Sequence, residues 1–215
     1  MILNKIILAK QNKQAAFSTK TNVIMFEFLN YFAQILNLYV SMVKINVVKN
    51  NITLRARNFN DVNKILFILL KHSKFQFIVL SDMFGIDQMQ PNGRFKVVYT
   101  LLSIRFNVRL RLNVIVNEFD QVPSCTEIFK CAGWLEREIW DMFGIFFINH
   151  SDLRRILTDY GFNGFPLRKD FPLSGFIELR YDDSLKRVVY EPIETSQEFR
   201  FFDFRSPWEQ IENLY

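Results

Sequence analysis

Proline and large aromatic side chains are concentrated in the last quarter of this 215-residue chain. After Gly161 the prolines follow one another so closely that neither a helix nor a central strand of ordinary length fits between them. Four of the 6 prolines of the chain lie there: Pro166, Pro172, Pro192 and Pro207. The large apolar rings of the same segment include those of Phe171, Phe176, Tyr190, Phe199, Phe201, Phe202, Phe204 and Trp208.

An extended, proline-broken segment cannot enclose these rings by itself. Each fully buried aromatic side chain stabilises a protein by about 1.5–3 kcal/mol, so leaving all of them in water forfeits much stability. Residues 161–215 therefore either fold back over the preceding domain or lie along another protein. Acidic and basic residues alternate closely at positions 180–187, which favours the second arrangement, an extended partner-binding tail that becomes ordered on assembly.

Charge and ligand counts exclude several classes of protein. Residues 1–123 carry 16 basic and 6 acidic residues, whereas residues 124–215 carry 11 and 16. The net charge of +5 is too small to demand a nucleic-acid partner. With 2 cysteines and 2 histidines, the chain alone is a poor candidate for a four-ligand metal site or an iron–sulfur cluster. The clearest apolar run, at residues 65–70, is far too short to span a bilayer. These features predict a soluble protein without a redox group of its own.

The first half of the chain has the periodicity of an α+β domain. Residues 1–20 carry four lysines and no acidic residue, which predicts a basic N-terminal arm. Polar residues at steps of three and four predict a helix at about 22–38, and alternating apolar residues on both sides of positions 50–51 predict a β-hairpin. A second helix is expected at 60–72 and strands at 75–80, 95–103 and 106–116, with a loop at 82–93. The order α-β-β-α-β-β-β over residues 21–122 predicts a two-layer α+β fold, with helices on one face of a largely antiparallel sheet.

Residues 123–160 have the character of a helical motif segment. Ser124 and Glu127 have the spacing of a capping box, which predicts a helix start. Apolar residues then recur at helical spacing up to Gly144. Gly133 lies inside this pattern, at a position where the helix can divide into two shorter ones.

The charges of this segment favour a network over a catalytic site. Arg137 and Asp141 are four residues apart on the predicted helix and are expected to pair with each other. Paired acids beside an arginine can also carry out acid–base chemistry. Without a nucleophile or a metal nearby in the sequence, a charge network is favoured. Further on, Ser151 or Asp152 is expected to cap another helical turn through Leu157.

Several ordered sequence blocks occupy the second half of the chain. The three longest are EREIWDMFG at 136–144, HSDLRRIL at 150–157 and PLRKDFP at 166–172. Shorter blocks are RYD at 180–182, YEP at 190–192 and SPWE at 206–209. In this order they strongly resemble the 30-kilodalton-type subunit of respiratory complex I, the proton-pumping NADH:ubiquinone oxidoreductase. Ser151 stands where that family usually has proline, and Phe165 where it usually has histidine. The run at 157–162 resembles the mitochondrial and bacterial versions, and we expect a mitochondrially encoded chain.

The resemblance implies a non-catalytic structural and assembly subunit in the hydrophilic, quinone-module arm of the complex. Such a subunit docks on the large hydrogenase-like subunit of the quinone pocket, near iron–sulfur subunits, on the matrix side of the mitochondrial inner membrane. It would be peripheral, with no transmembrane helix, and part of the H⁺-translocating NADH:ubiquinone reductase only through its complex. FMN and iron–sulfur clusters belong to other subunits, so no catalytic, cofactor-binding or metal-binding residue is expected here. The residues at family motif positions, expected in charge pairs and subunit contacts, are Glu136, Arg137, Glu138, Asp141, His150, Arg154, Arg155, Arg168, Lys169 and Asp170.

Three alternatives remain open at this point. The chain can be the homologous subunit of a plastid NDH complex or of a membrane-bound hydrogenase. It can also be an RNA-binding α+β domain, although basic residues alternating on strands usually form a solvated face and no aromatic-rich RNA-binding motif is present. The basic residues in question are Arg55, Arg57, Arg94, Lys96, Arg105, Arg109 and Arg111. A self-contained oxidoreductase is disfavoured because the sequence has neither a dinucleotide-binding glycine pattern nor a P-loop.

Overall fold

A computed structural model of the chain describes residues 31, 34, 43–48, 51–90, 93–198 and 200–202. The basic arm predicted at 1–20 and most of the helix predicted at 22–38 lie outside the described residues, although Tyr31 and Gln34 are helical. Contacts within the chain divide it into two units, Met1–Phe171 and Pro172–Tyr215.

A five-stranded sheet forms the centre of the first unit. Its strands are β1 (Val43–Val48), β2 (Asn51–Ala56), β3 (Val79–Asp87), β4 (Phe95–Ser103) and β5 (Val108–Val116). They lie side by side in the order β1-β2-β5-β4-β3. Only β2 and β5 run parallel; the other neighbours are antiparallel. The predicted α+β class with a largely antiparallel sheet is therefore confirmed, and so is the hairpin of β1 and β2.

The alternation seen in the sequence decides which face of the sheet is buried. On β5, Leu110, Leu112 and Val114 are fully buried, whereas the side chains between them include the exposed Arg109 and Arg111. Helix α1 (Val62–Lys71) lies within the region predicted to be helical, and a short 3-10 turn precedes it. Its apolar stripe belongs to the same core as the inward side chains of the strands. This burial is the main stabilising contribution, about 25 cal/mol per Å² of apolar surface.

Strand β3 does not lie where the sequence predicted it. Residues 73–75 form a turn after α1 and residues 76–78 are irregular; Gln76 has a φ of +47° and donates its N–H to the His72 carbonyl. Phe75 and Phe77 are nevertheless fully buried, so their hydrophobicity signals core position rather than strand. The strand begins at Val79 and runs through the first half of the segment predicted as a loop, because residues 82–87 pair with β4.

Helix α2 (Ala132–Phe143) begins later than the predicted capping box. The hydroxyl of Ser124 donates to the Glu136 carboxylate instead of capping a helix, so the box prediction is wrong. Gly133 lies in the first turn of α2 and does not divide it. The helix ends at Gly144, whose φ of +76° closes the last turn with an N–H bond to the Trp140 carbonyl.

The helical turn predicted to run to Leu157 is absent. Residues 151–158 are irregular, because three of their backbone N–H groups bond to a side chain of α2 rather than to carbonyls of their own segment. Two short parallel strands, β6 (Gln121–Pro123) and β7 (Phe146–Ile148), flank α2 in sequence.

The second unit contains a feature that the proline spacing did not predict. Between Pro172 and Pro192 the chain forms an antiparallel hairpin of β8 (Ile177–Asp182) and β9 (Arg187–Pro192). The prolines stand outside β8 and at the last position of β9, so neither removes an interior ladder bond. The segment is extended, as expected, but it pairs with itself.

Candidate functional site

The carboxylate of Glu136 is the centre of the first buried cluster of motif residues. Helix α2 presents it to the segment just before the helix, and the residue is 0% exposed. Its oxygens accept the Ser124 hydroxyl at 2.6 Å, the Cys125 N–H at 2.8 Å and the Cys125 thiol at 3.1 Å. Burial, reinforced by the nearby carboxylate charge, raises the pKa of the Cys125 thiol far above its usual value. The cluster therefore holds a protonated thiol, not a nucleophile.

His150 closes this cluster as a neutral imidazole. The Asp152 N–H donates to Nδ1 at 3.0 Å, so that nitrogen carries no proton. Nε2 lies 3.1 Å from the Gly133 carbonyl oxygen, which can only accept, so Nε2 bears the ring hydrogen. The distance from Nε2 to Glu136 is longer, at 3.8 Å. His150 thus joins the segment after β7 to the first turn of α2.

Asp141 organises the second cluster, one turn further along α2. One carboxylate oxygen accepts the N–H groups of residues 156, 157 and 158 at 3.2, 2.7 and 3.0 Å. The other accepts the Thr158 hydroxyl at 2.7 Å and lies 3.4 Å from Arg155. Burial by itself would raise the pKa of Asp141, but the hydrogen bonds from Thr158 and the backbone outweigh it and hold that pKa below its ordinary value. The predicted pair of Arg137 with Asp141 does not form, and Arg155 takes its place.

Phe165 lies between the two arginines that complete this region. Its ring centre is 5.0 Å from the Arg155 guanidinium carbon and 4.5 Å from that of Arg168, and it packs edge-on against Trp140. Cations over an aromatic face are attracted to it. Phe165 therefore makes cation–π contacts with both arginines.

The third cluster joins the PLRKDFP block to the ends of the sheet strands. Arg168 donates Nε to the Phe143 carbonyl at 2.7 Å and pairs through Nη1 with Glu118. Asp170 pairs with Arg94 at 2.8 Å. The backbone N–H of Lys169 donates to Asp87 at 3.0 Å. Residues 168–170 are thereby held to the end of α2, to the last residue of β3, to the residue before β4 and to the segment after β5.

Asp87 is the buried member of the third cluster. Its side chain is 1% exposed and faces Arg94 at 3.3 Å. Burial opposes ionisation, but the Lys169 N–H, the Arg94 guanidinium and the Met89 N–H together lower the pKa of Asp87. An opposite charge and several donors around one carboxylate are the arrangement that keeps it ionised at neutral pH.

The other motif charges lie at the surface. Arg137 stacks on the Trp134 ring and donates to the Arg154 carbonyl, and Arg154 itself pairs with Asp152. The side chains of Glu138 and Lys169 are exposed and make no hydrogen bond or ion pair with the described part of the chain. Such exposed charges contribute little to the stability of the chain by themselves.

Sequence reasoning missed several members of these clusters. Asp87, Glu118 and Thr158 were not singled out, and Arg94 was considered only as a basic surface residue. For Asp87 a signal existed: it continues the inward-facing register of Met83 and Gly85 on β3, and an acid at such a position needs partners. Glu118 and Thr158 lie in irregular segments, where no periodicity marks them.

The geometry supports a structural role for the three clusters. Glu136, Asp141 and Asp87 are at most 4% exposed, so no substrate can reach them in this arrangement. Within the described residues, no three His, Cys, Asp or Glu side chains converge as metal ligands. No helix in the described ranges is long and apolar enough to cross a membrane.

Comparison with known proteins assigns the chain to a family. The family described as "Respiratory-chain NADH dehydrogenase, 30 Kd subunit" matches residues 56–177. "NADH-ubiquinone oxidoreductase subunit 9" of Reclinomonas americana is 54% identical over 76% of this chain and 80% of its own length. "NADH dehydrogenase (ubiquinone) iron-sulfur protein 3" is 59% identical in Beta trigyna and 58% in Solanum tuberosum, each over 71% of this chain and 80% of the relative.

A solved structure shares the fold at much lower sequence identity. A chain of the membrane-bound sulfane sulfur reductase, an archaeal respiratory membrane complex, superposes with a TM-score of 0.58 at 18% identity, covering 67% of this chain and 85% of that one. The motif blocks, the α+β fold and the matched relatives agree. The chain belongs to the family of the 30 kDa subunit of respiratory-chain NADH dehydrogenase.

Proposed function

We propose that this chain is a non-catalytic subunit of the hydrophilic, quinone-module arm of the proton-pumping NADH:ubiquinone oxidoreductase. It binds the large hydrogenase-like subunit and neighbouring iron–sulfur subunits on the matrix side of the mitochondrial inner membrane. It carries no cofactor itself, and electrons pass through other subunits. Family membership supports the complex, and the burial of the motif carboxylates supports the non-catalytic role.

The observation that carries this proposal is the apolar face of the β8–β9 hairpin. Because side chains alternate along a strand, one face gathers apolar side chains from both strands, and the Ile, Leu, Val and Tyr side chains among them are 50–60% exposed. This face is formed by Ile177, Leu179, Tyr181, Val188, Tyr190 and Pro192. A two-stranded hairpin is at best marginally stable in water, and a contiguous exposed apolar patch is typical of a protein interface.

The opposite face of the hairpin is charged. Arg180 and Glu191 form a two-point pair with distances of 2.6 and 3.0 Å between guanidinium nitrogens and carboxylate oxygens. Asp182 accepts two bonds from Ser184 and closes the turn end of the same strand. We therefore expect the charged face of the hairpin to remain in contact with water and the apolar face to be buried against a protein partner.

Substitutions in the full-length chain within its complex test this function. We expect Leu179→Asp to remove the chain from the assembled complex, because a carboxylate buried at the interface lacks a partner. Glu178→Gln, one residue away on the charged face, is the matched control and should assemble normally. Native gels and co-purification of the other subunits measure assembly. Equal assembly of the two variants would contradict the proposal.

A further inference from the structure

The second face of the five-stranded sheet carries a concentration of positive charge. It lies opposite the face that carries the described core. Lys44, Arg55, Arg109 and Arg111 are exposed on β1, β2 and β5, and Lys96 is half-buried on β4. Among the described residues, the acid on this face is Asp82 on the edge strand β3, and its carboxylate accepts the N–H of the neighbouring Met83.

The strand register forces two of these cations together. Lys44 and Arg55 are directly opposite each other in the antiparallel ladder of β1 and β2. Directly opposed side chains on one face have Cβ atoms about 4.5–5.5 Å apart, and like charges at such positions are destabilising. No carboxylate of the described residues pairs with Lys44, Arg55, Lys96 or Arg111. Their charges are therefore not compensated within the described chain.

A groove lies over this part of the sheet, between β1 and the segment that follows β3. Its cavity volume is about 380 Å³. Besides the cations Lys44, Arg55 and Lys96, it is lined mainly by amide and hydroxyl side chains: Asn46, Thr53, Gln88, Gln90 and Asn113. Amide side chains both donate and accept hydrogen bonds, which matches the peptide groups of an extended chain.

We propose that this groove binds an acidic, extended polypeptide segment of a neighbouring subunit. Carboxylates of the segment pair with Lys44, Arg55 and Lys96, and its backbone bonds to the amide side chains. Nucleic acid fits the groove less well, because single-stranded binding relies on bases stacked on aromatic rings and no aromatic residue lines the groove. The inference rests on the proposed function in that it needs a neighbouring subunit.

Zero-length cross-linking in the native complex tests the groove directly. A carbodiimide joins a lysine amine to a carboxylate only when they are in contact. We expect cross-linked peptides that join Lys44 or Lys96 to an Asp or Glu of another subunit. When lysines are chemically acetylated, both of these lysines should react less in the complex than in the purified chain. The inference would be overturned if both lysines were acetylated at the same rate in the complex as in the purified chain. Joining only to carboxylates of this chain, or recovery of ribonuclease-sensitive nucleic acid bound there, would overturn it as well.

Neutralised variants provide a second, independent measurement. In full-length Lys44→Gln/Arg55→Gln, the unfolding midpoint of the purified chain should stay unchanged or rise, because a like-charge contact is removed. The complex that contains it should dissociate at lower salt. Lys71→Gln/Lys74→Gln, at the end of α1 and beyond it, is the charge-matched control and should leave the salt dependence unchanged. A lowered unfolding midpoint, or a salt dependence equal to that of the control, would overturn the inference.

The groove and the hairpin are tested separately. If Leu179→Asp assembled normally while the groove cross-links were present, only the hairpin interface would be rejected.

Discussion

Replacement of Asp141 by asparagine tests the reasoning about the buried clusters most directly. The substitution keeps the shape of the side chain and removes its charge. An amide that presents its oxygen to the three backbone N–H groups must turn its NH₂ group towards Thr158 and Arg155. The hydroxyl can rotate to accept, but the guanidinium cannot, so a donor faces a donor.

The expected loss follows from the bonds present. Hydrogen bonds to a charged group contribute about 1.5–3 kcal/mol and neutral ones about 0.5–1.5 kcal/mol. Asp141 accepts three backbone bonds and one hydroxyl bond, and these weaken together rather than additively. We therefore expect Asp141→Asn to lower the free energy of unfolding by about 2–4 kcal/mol. That is a large part of the roughly 5–15 kcal/mol of an ordinary domain.

The dependence on pH adds a signature that a general packing defect lacks. The pKa of Asp141 lies below its ordinary value of 3.8 in the folded chain. Its contribution is therefore complete above the ordinary value and disappears as the pH falls through the lower, folded-state pKa. The difference in stability between wild type and Asp141→Asn should be constant near neutral pH and shrink in acid below about pH 4.

Urea unfolding of the full-length chain, followed by tryptophan fluorescence, measures both effects. Asp159→Asn is the matched control: this exposed aspartate lies in the same segment, and among the described residues its carboxylate accepts a hydrogen bond only from the neighbouring Tyr160 N–H. We expect it to change stability by less than about 0.5 kcal/mol. Equal losses in the two variants, or a deficit in Asp141→Asn that persists unchanged in acid, would refute the account.

Two further outcomes are expected. An aromatic disulfide reagent at neutral pH should label one thiol of the native chain, the exposed Cys131, and should label Cys125 only after unfolding. The reason is that burial and the Glu136 charge raise the pKa of the Cys125 thiol. Rapid labelling of both thiols would contradict this. Arg168→Lys should lower the free energy of unfolding by about 2 kcal/mol in urea titrations, because an ammonium cannot both bond to Phe143 and stack as a guanidinium does. The exposed Arg154→Lys serves as its control and should unfold like wild type.

Elements with a clear period were predictable from the sequence. Strand β4 lies at the predicted residues, and β5 and α1 differ only at their ends. For β3 the same reasoning failed, because the buried Phe75 and Phe77 lie in a turn and an irregular segment before the strand. Hydrophobicity reports burial, and it reports backbone conformation only where a period accompanies it.

The sequence marked some members of the buried clusters but not their contacts. The motif blocks marked Glu136, Asp141 and Arg168, which lie at the centres of the buried clusters. Helical spacing indicated that Asp141 pairs with Arg137, four residues away. Instead Asp141 is bonded by residues 14–17 positions further along the chain.

The sequence by itself determined the α+β class, the alternation that buries one face of the sheet, and the family to which the chain belongs. Each of these depends on residue types at short, regular spacing, which local sterics and burial translate directly into backbone conformation. The tertiary structure alone decided which charges meet, that Lys44 faces Arg55, and that residues 177–192 pair into a hairpin with one apolar face. The partners of the buried charges lie in irregular segments that are distant in the sequence and meet the charges only in the folded chain. Such segments have no periodic pattern from which the contact could be predicted.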